Sequence, residues 1–345
     1  MLYSLARPFV FAMDAEKAHR LTIKGLRMLP DLGEGTMDPR LGISLAGIDF
    51  PSPVGLAPGF DKNAEVASKM LSFGFGYAEI GTVTPRPQAG NPTPRLFRLV
   101  EDKAVINRMG FNNDGADAVV RRLKAWRGRP GIIGANIGAN KDSQDRIADY
   151  AIMAKTMAPL ADYLTINISS PNTPGLRALQ DEAALTGLLD AVIEARGEQQ
   201  VPLFLKLAPD LEHADIDAIT RIAIDKKLDA LIIGNTTITR PALKSRHSGE
   251  TGGLSGAPLA DLALQRLKDF RAASGGVIPL IAVGGIDSAT SAYERIRAGA
   301  SLVQLYSALV YHGPRLAAEI NRGLLRLLAR DGLERLSDAI GIDAS

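Results

Sequence analysis

Cysteine is absent from this 345-residue chain, which excludes disulfides, thiolate metal sites and cysteine nucleophiles or bases together. Histidine is scarce. The four residues His19, His213, His247 and His312 have no metal-pair spacing, so we expect no metal. An excess of one charge sign is missing too: 40 basic and 38 acidic side chains leave a net charge of +2, without the global basic field that nucleic-acid binding requires. No apolar run reaches the roughly 18 uncharged residues needed for a spanning helix. The opening MLYSLARPFVFAMDAEKAHR carries Arg7 and Pro8 inside its apolar run and no small-residue cleavage signal, so it does not read as a secretory peptide. What remains is an ordinary globular composition, 46% apolar and 23% charged, with enough core to fold alone.

The chain divides into a small N-terminal helical segment, residues 1–38, and one large body, residues 39–345. Leu2, Tyr3, Leu5, Phe9, Val10 and Phe11 supply an apolar helix. Asp14 then caps a second helix ending near Pro30, with Ala18, Leu21, Leu26 and Leu29 on one face and Lys17, Arg20, Lys24 and Arg27 on the other. Such a pair fits either a packed helix pair with a solvated charged face or a membrane-surface element. A linker follows between Leu32 and Pro39, and Ile43 to Phe50 reads as a short hairpin turning at Ala46-Gly47.

From Val54 onward, short apolar runs recur with the look of buried parallel strands: Val54–Ala57, Ala78–Thr82, Ile132–Ile137, Tyr163–Ile168, Leu203–Leu207, Ala230–Asn235, Leu280–Val283 and Leu302–Tyr306. Helical segments such as Glu182–Glu194 and Leu259–Ala272 separate most of them. This alternation predicts an α/β fold, a (β/α)8 TIM barrel, with a doubly wound open sheet as the alternative. The connection from Pro85 to Asn113 reads as a long irregular loop on the C-terminal face of the barrel, where loops carry chemistry.

Buried parallel strands should stay apolar to their ends, yet almost every one here ends in a polar residue. In order these are Asp61-Lys62, Thr82, Asn136, Asn167 with Ser169-Ser170, Lys206, Asn235-Thr236, Gly284-Gly285 and Tyr306-Ser307. One such residue is a helix cap or an ion-pair partner. The whole set, with two lysines and several amides but no histidine, points to a large hydrogen-bonding, electron-rich ligand rather than a hydrolytic or metal site. Glycine-rich turns at Gly252–Gly256 and Gly284-Gly285, with Tyr306-Ser307 after the last strand, add a phosphate cradle.

Long strings then carry a family resemblance: Ala57-Pro58-Gly59-Phe60-Asp61-Lys62-Asn63, Glu79-Ile80-Gly81-Thr82-Val83-Thr84-Pro85-Arg86-Pro87, Asn107-Arg108-Met109-Gly110-Phe111-Asn112-Asn113, and Asn167-Ile168-Ser169-Ser170-Pro171-Asn172-Thr173-Pro174-Gly175. Over nearly its whole length the chain resembles the class 2, quinone-dependent dihydroorotate dehydrogenases. The resemblance implies FMN held by Ala57, Gly59, Lys62, Thr82, Asn136, Asn167, Lys206 and Gly234, with its phosphate on backbone around Gly256, Gly285, Tyr306 and Ser307. It implies dihydroorotate on Lys62, Asn107, Arg108, Met109, Gly110, Phe111, Asn167, Asn172, Asn235 and Thr236. The catalytic base falls at Ser170, with Thr173 or a water to carry its proton onward, and His19, Arg98 and Tyr306 fall near a quinone head. Class 1 relatives place a cysteine at the base, which this sequence cannot supply.

Two positions depart from relatives: Pro58 stands where many members carry Ala, and Gly234 where some carry a Thr whose hydroxyl would reach the flavin. The resemblance further implies pyrimidine biosynthesis, a monomer, and peripheral association with the cytoplasmic side of the cell inner membrane. Two other readings are a non-redox phosphate-sugar barrel, which leaves the Ser-Ser-Pro-Asn string unexplained, and a membrane or partner module on a degenerate barrel. Retention of Lys62, Lys206 and Ser170 opposes the second.

Overall fold

In the computed structural model, which describes residues 2–30, 35 and 37–344, eight parallel strands close into a barrel. They are Val54–Leu56, Tyr77–Val83, Ile132–Ile137, Tyr163–Asn167, Leu203–Leu207, Ala230–Ile233, Leu280–Val283 and Ala300–Leu305. Each pairs with its neighbour in sequence, and Val303 opposite Val54 closes the ring. The expected barrel is therefore found, with strand ends shifted by a residue or two, and the open sheet is not. The helices between strands start and stop where their chemistry dictates. Glu182–Arg196, for example, begins at Asp181, whose side chain accepts from the Ala183 N–H, and ends at Gly197 with a φ of 61°.

Inside the barrel, alternate residues stack in layers. Tyr77 and Tyr163 fill the lower layer with ring centroids 6.3 Å apart, and Tyr163 stacks on Phe204 at 4.6 Å. Both tyrosines need glycine opposite: a Cβ at Gly55 would lie 2.1 Å from the Tyr77 ring, and one at Gly134 would lie 2.1 Å from Tyr163. The hairpin Ile43–Leu45 and Ile48–Phe50, turning through Ala46 and Gly47 at φ of 54° and 77°, brings Phe50 within 5.1 Å of Tyr77.

Two segments differ from the sequence reading. Within the connection from Pro85 to Asn113, Leu96–Leu99 and Ala104–Asn107 are strands, and Gly253–Gly256, read as a turn, is their third partner in an antiparallel sheet. Their partners lie far apart in sequence, so local patterning carried no trace of the pairing. At the N-terminus, Leu2–Ala12 and Ala15–Arg27 form the expected helix pair, with Asp14 accepting from the Lys17 N–H at 2.9 Å. Its apolar face is not all turned inward. Ala18 is buried, whereas Leu21, Leu29, Phe9 and Met28 are exposed. The linker expected at Leu32–Pro39 falls largely outside the described residues. Among the described residues no helix is long and apolar enough to cross a membrane.

Candidate active site

A cavity of about 480 Å³ opens over the C-terminal ends of the strands. The extra antiparallel sheet, the N-terminal helices and the barrel mouth all contribute to its wall. Most of the sequence-predicted residues meet there: Ala57, Gly59, Lys62, Thr82, Asn167, Lys206, Gly256, Gly285, Tyr306, Ser307, Asn107, Met109, Gly110, Phe111, Ser170, Asn172, Asn235, Thr236, His19 and Arg98. Asn136, Gly234 and Arg108 stand outside the lining. Asn136 sits one layer down and bonds upward to wall residues. At Gly234 the φ of 113° and a Cβ that would meet the Val283 carbonyl at 2.4 Å leave no room for a side chain, so glycine here is a steric requirement rather than a lost hydroxyl. The Arg108 guanidinium points away, pairing with Glu250 at 2.8 Å and lying over the Phe97 ring.

The floor is a connected polar array. Thr82 Oγ1 donates to Asn136 Oδ1 at 2.6 Å, and Asn167 Nδ2 donates to both at 3.0 Å. Ser169 Oγ donates to Asn167 Oδ1 and in turn accepts from Asn235 Nδ2. Lys206 is buried at 3% exposure, with its Nζ 3.3 Å from Gln304 Oε1, and burial pulls its ammonium below the ordinary lysine range while Glu79 opposes that shift. Lys62 is turned inward by Asp61, whose carboxylate accepts from the N–H groups of Asn63, Glu65, Val66 and Ala67. Its Nζ donates to the Gly59 carbonyl at 2.6 Å, and burial lowers the ammonium to about 8.

One end of the cavity is built for an anion. Asn91 takes the carbonyls of Arg108 and Met109, and Gln88 takes those of Gly110 and Phe111. With Gly110 and Phe111 at φ of 71° and 55°, the turn is a concave nest; the N–H groups of these two residues have no partner among the described residues. Arg108 is the exception to the expected run, since its N–H is already given to the Arg95 carbonyl at 2.9 Å. Thr236 Oγ1, which lines the same cavity, is a buried polar atom without a partner. At the other end Ser255 and Ser307 hydroxyls lie 2.8 Å apart beside Gly256 and Gly285, and a Cβ on Gly285 would meet Ala260 Cα at 2.3 Å, at the start of helix Ala260–Ser274.

Ser170 is buried on the cavity wall, and its Oγ accepts from the Asn172 N–H at 3.2 Å. Thr173 Oγ1, three residues on, is buried and unpaired. His19 is no surface histidine: its ring packs edge-on against Phe60 at 5.4 Å and faces Tyr306 at 6.4 Å, and burial drives its imidazolium down to about 3. Burial also raises the Tyr306 phenol. Arg98 bonds neither Glu101 nor Asp102. It donates to the carbonyls of Val10, Phe11 and Met13 and stacks over the Phe11 ring at 4.9 Å, closing the end of the first helix.

Sequence reading missed the residues that fix this wall from behind. Glu79 sits inside its strand, away from the strand end that drew attention, and Gln304 lines the cavity one residue before the end of the last strand. Arg95 and Glu16 form a buried two-bond pair at 2.8 and 2.9 Å, while Arg95 also holds the carbonyls of Ala89 and Asn91. A charge inside an otherwise apolar strand was a legible signal for Glu79; the partner of Arg95, 79 residues away, was not.

Residues 40–328 match the family model described as dihydroorotate dehydrogenase. A dihydroorotate dehydrogenase (quinone) of Novosphingobium aromaticivorans is 66% identical over 344 residues, covering 98% of this chain and 99% of that protein. One of Erythrobacter litoralis is 63% identical, with 99% of each chain covered. The crystal structure of a dihydroorotate dehydrogenase from Eimeria tenella in complex with ferulenol superposes with a TM-score of 0.90 at 40% identity, covering 95% of both chains.

Proposed function

The chain belongs to the dihydroorotate dehydrogenase family, and from that premise we propose that it oxidises dihydroorotate to orotate, with FMN bound in the barrel mouth and a membrane quinone as final acceptor, in pyrimidine biosynthesis. The observation that carries the reading is one continuous cavity running from Ser170 and the amide array to the N-terminal helices.

The residues present fit a flavin mononucleotide. Ala57, Gly59, Lys62, Thr82, Asn167 and Lys206 would hold the ring, with Asn136 and Gly234 behind them, and Gly256, Gly285, Tyr306 and Ser307 would hold the phosphate. When bound, FMN supplies the two-electron acceptor for the oxidation. Lys206 and Lys62 would set positive charge beside the ring, where its reduction adds negative charge.

Dihydroorotate is a ring imide with one carboxylate. The free N–H groups of Gly110 and Phe111 suit the carboxylate, and Asn107, Asn172, Asn235 and the unpaired Thr236 hydroxyl suit the imide donors and acceptors. Ser170 would take the proton from the ring carbon. The Asn172 N–H at its Oγ would stabilise charge developing there, and the hydroxyl proton that Ser170 gives up would pass to solvent by way of Thr173 Oγ1, relaying its own proton, or of a water.

His19, Arg98 and Tyr306 line the limb of the cavity that meets the helix pair, where Val10, Ala18 and Leu26 give it an apolar wall suited to a quinone. The exposed Phe9, Leu21, Met28 and Leu29, beside Lys17, Arg20, Lys24 and Arg27, support peripheral binding of segment 1–38 to a membrane surface, which we assign to the cytoplasmic face of the inner membrane, and a separate role from the body at 39–345. Purified protein should oxidise dihydroorotate with a short-chain ubiquinone analogue and not with fumarate or NAD. Turnover with either of the latter alone would remove the quinone assignment, and no bleaching of a bound flavin by dihydroorotate would remove the substrate.

A further inference from the structure

Glu79 lies in the barrel interior at 0% exposure, one layer beneath the cavity and outside its lining. Three groups donate to its carboxylate: Asn136 Nδ2 at 2.7 Å on one oxygen, and Gln304 Nε2 at 2.7 Å and the Tyr163 hydroxyl at 3.2 Å on the other. An ionised carboxylate can only accept, whereas Asn and Gln side chains fit a site in two opposite orientations. Placed against Glu79, each amide has one choice. Asn136 must send its Oδ1 upward, where it accepts from Thr82 Oγ1 and Asn167 Nδ2. That leaves Asn167 Oδ1 to accept from Ser169. Gln304 must send its Oε1 toward Lys206 Nζ, so the buried cation meets an acceptor instead of an amide N–H. The negative charge of Glu79 also offsets the desolvation of Lys206 across Gln304.

We propose that Glu79 is a positioning residue for the flavin site: as a fixed acceptor beneath the floor, it sets which way Asn136 and Gln304 are turned, and through them how Thr82, Asn167 and Lys206 are presented to the ring. The proposal rests on the flavin reading given above. Its force shows in Glu79→Gln, which changes one oxygen to an NH2 and keeps the shape. That NH2 must face a donor, either Asn136 Nδ2 or Gln304 Nε2, so one of them turns over. Asn136 would then point N–H groups at Asn167 Nδ2, or Gln304 would point them at the Lys206 ammonium.

The test is titration of flavin-depleted protein with FMN, together with the visible spectrum of the bound flavin and the melting temperature, for wild type, Glu79→Gln, Glu79→Asp and Tyr163→Phe. Glu79→Gln should weaken FMN binding by about 10-fold or more, the scale of one or two misdirected hydrogen bonds, and shift the flavin absorption bands. Glu79→Asp, still acceptor-only, should recover most of both. Tyr163→Phe removes a hydrogen bond to the same carboxylate without reversing an amide, so it should lower the melting temperature and leave affinity and spectrum as in wild type. Equal affinity and identical spectra for Glu79→Gln and wild type would overturn the proposal, as would equal shifts in Tyr163→Phe. Should Glu79→Gln not fold, Gln304→Leu severs the bridge to Lys206; unchanged FMN affinity and spectrum in that variant would also overturn it. Wild type that binds no FMN would instead strike the flavin reading itself.

Discussion

The barrel mouth and the N-terminal helix pair border the same cavity but are held in opposite ways. In the mouth the floor side chains are held by neighbours on other strands, in a linked array that runs from Lys206 through Gln304, Glu79, Asn136, Asn167 and Ser169 to the half-buried Asn235. The helix pair is attached at a few discrete points: Tyr3 to the Val310 carbonyl, Arg98 at the end of the first helix, Glu16 on Arg95, and Arg27 on Glu65. Much of its apolar surface faces outward. The difference teaches that one region is set for chemistry, which tolerates little displacement, and the other for docking and exchange.

The sharpest break of that comparison is Ser170→Ala. Loss of a positioned base should cost about 10²–10⁴-fold in the rate of flavin reduction, read by stopped-flow absorbance, with dihydroorotate binding and melting temperature close to wild type. Next comes Arg95→Ala, which leaves Glu16 as a buried charge without its main partner, a change worth about 3–5 kcal/mol where burial is complete. Because Arg95 also holds Ala89 and Asn91, both the helix pair and the anion nest should loosen. Quinone reduction should fall more than flavin reduction, and limited proteolysis should cut first near residue 30.

The same staple predicts a pH effect. Its hydrogen bonds with Arg95 lower Glu16 from 4.5 to about 2, so the stabilisation is fully present above the unfolded value near 4.5 and is lost as pH falls through the folded value near 2. Protease protection of the helix pair should therefore fade between about pH 4.5 and pH 2, and Glu16→Gln should remove that dependence. A smaller effect is expected from Phe9→Ser or Met28→Ser. Each exposes less apolar surface to a bilayer and should weaken binding to anionic vesicles several-fold, about 1–2 kcal/mol, while flavin reduction stays unchanged. Smallest is Arg20→Gln, an exposed partner of Glu16, which should shift stability by less than about 1 kcal/mol in a melting experiment.

Much of this was legible because buried strands and cap residues announce themselves locally. Ile132–Ile137 and Leu203–Leu207 are apolar runs broken by one polar side chain each, Asn136 just beneath the cavity and Lys206 on its wall, and Asp14 and Ala46-Gly47 have a single common use at such places. What stayed hidden depends on distance in the chain. Nothing near Leu96 or Gly253 foretells that both pair with Ala104–Asn107, and nothing near Glu16 foretells Arg95. The sequence left open whether the helix pair packs inward or meets a membrane surface, and Leu21 and Leu29 are exposed, because periodicity gives an apolar side without saying what covers it.

The tyrosine and glycine pairs low in the barrel constrain how such a sequence can drift. A methyl group at Gly55 would overlap the Tyr77 ring, and one at Gly134 would overlap that of Tyr163. Neither glycine can change first, and shrinking either ring first opens a void beneath Glu79. Each pair is a linked locus, inherited as a unit, and a relative that enlarges position 55 should be found to have given up the ring at position 77.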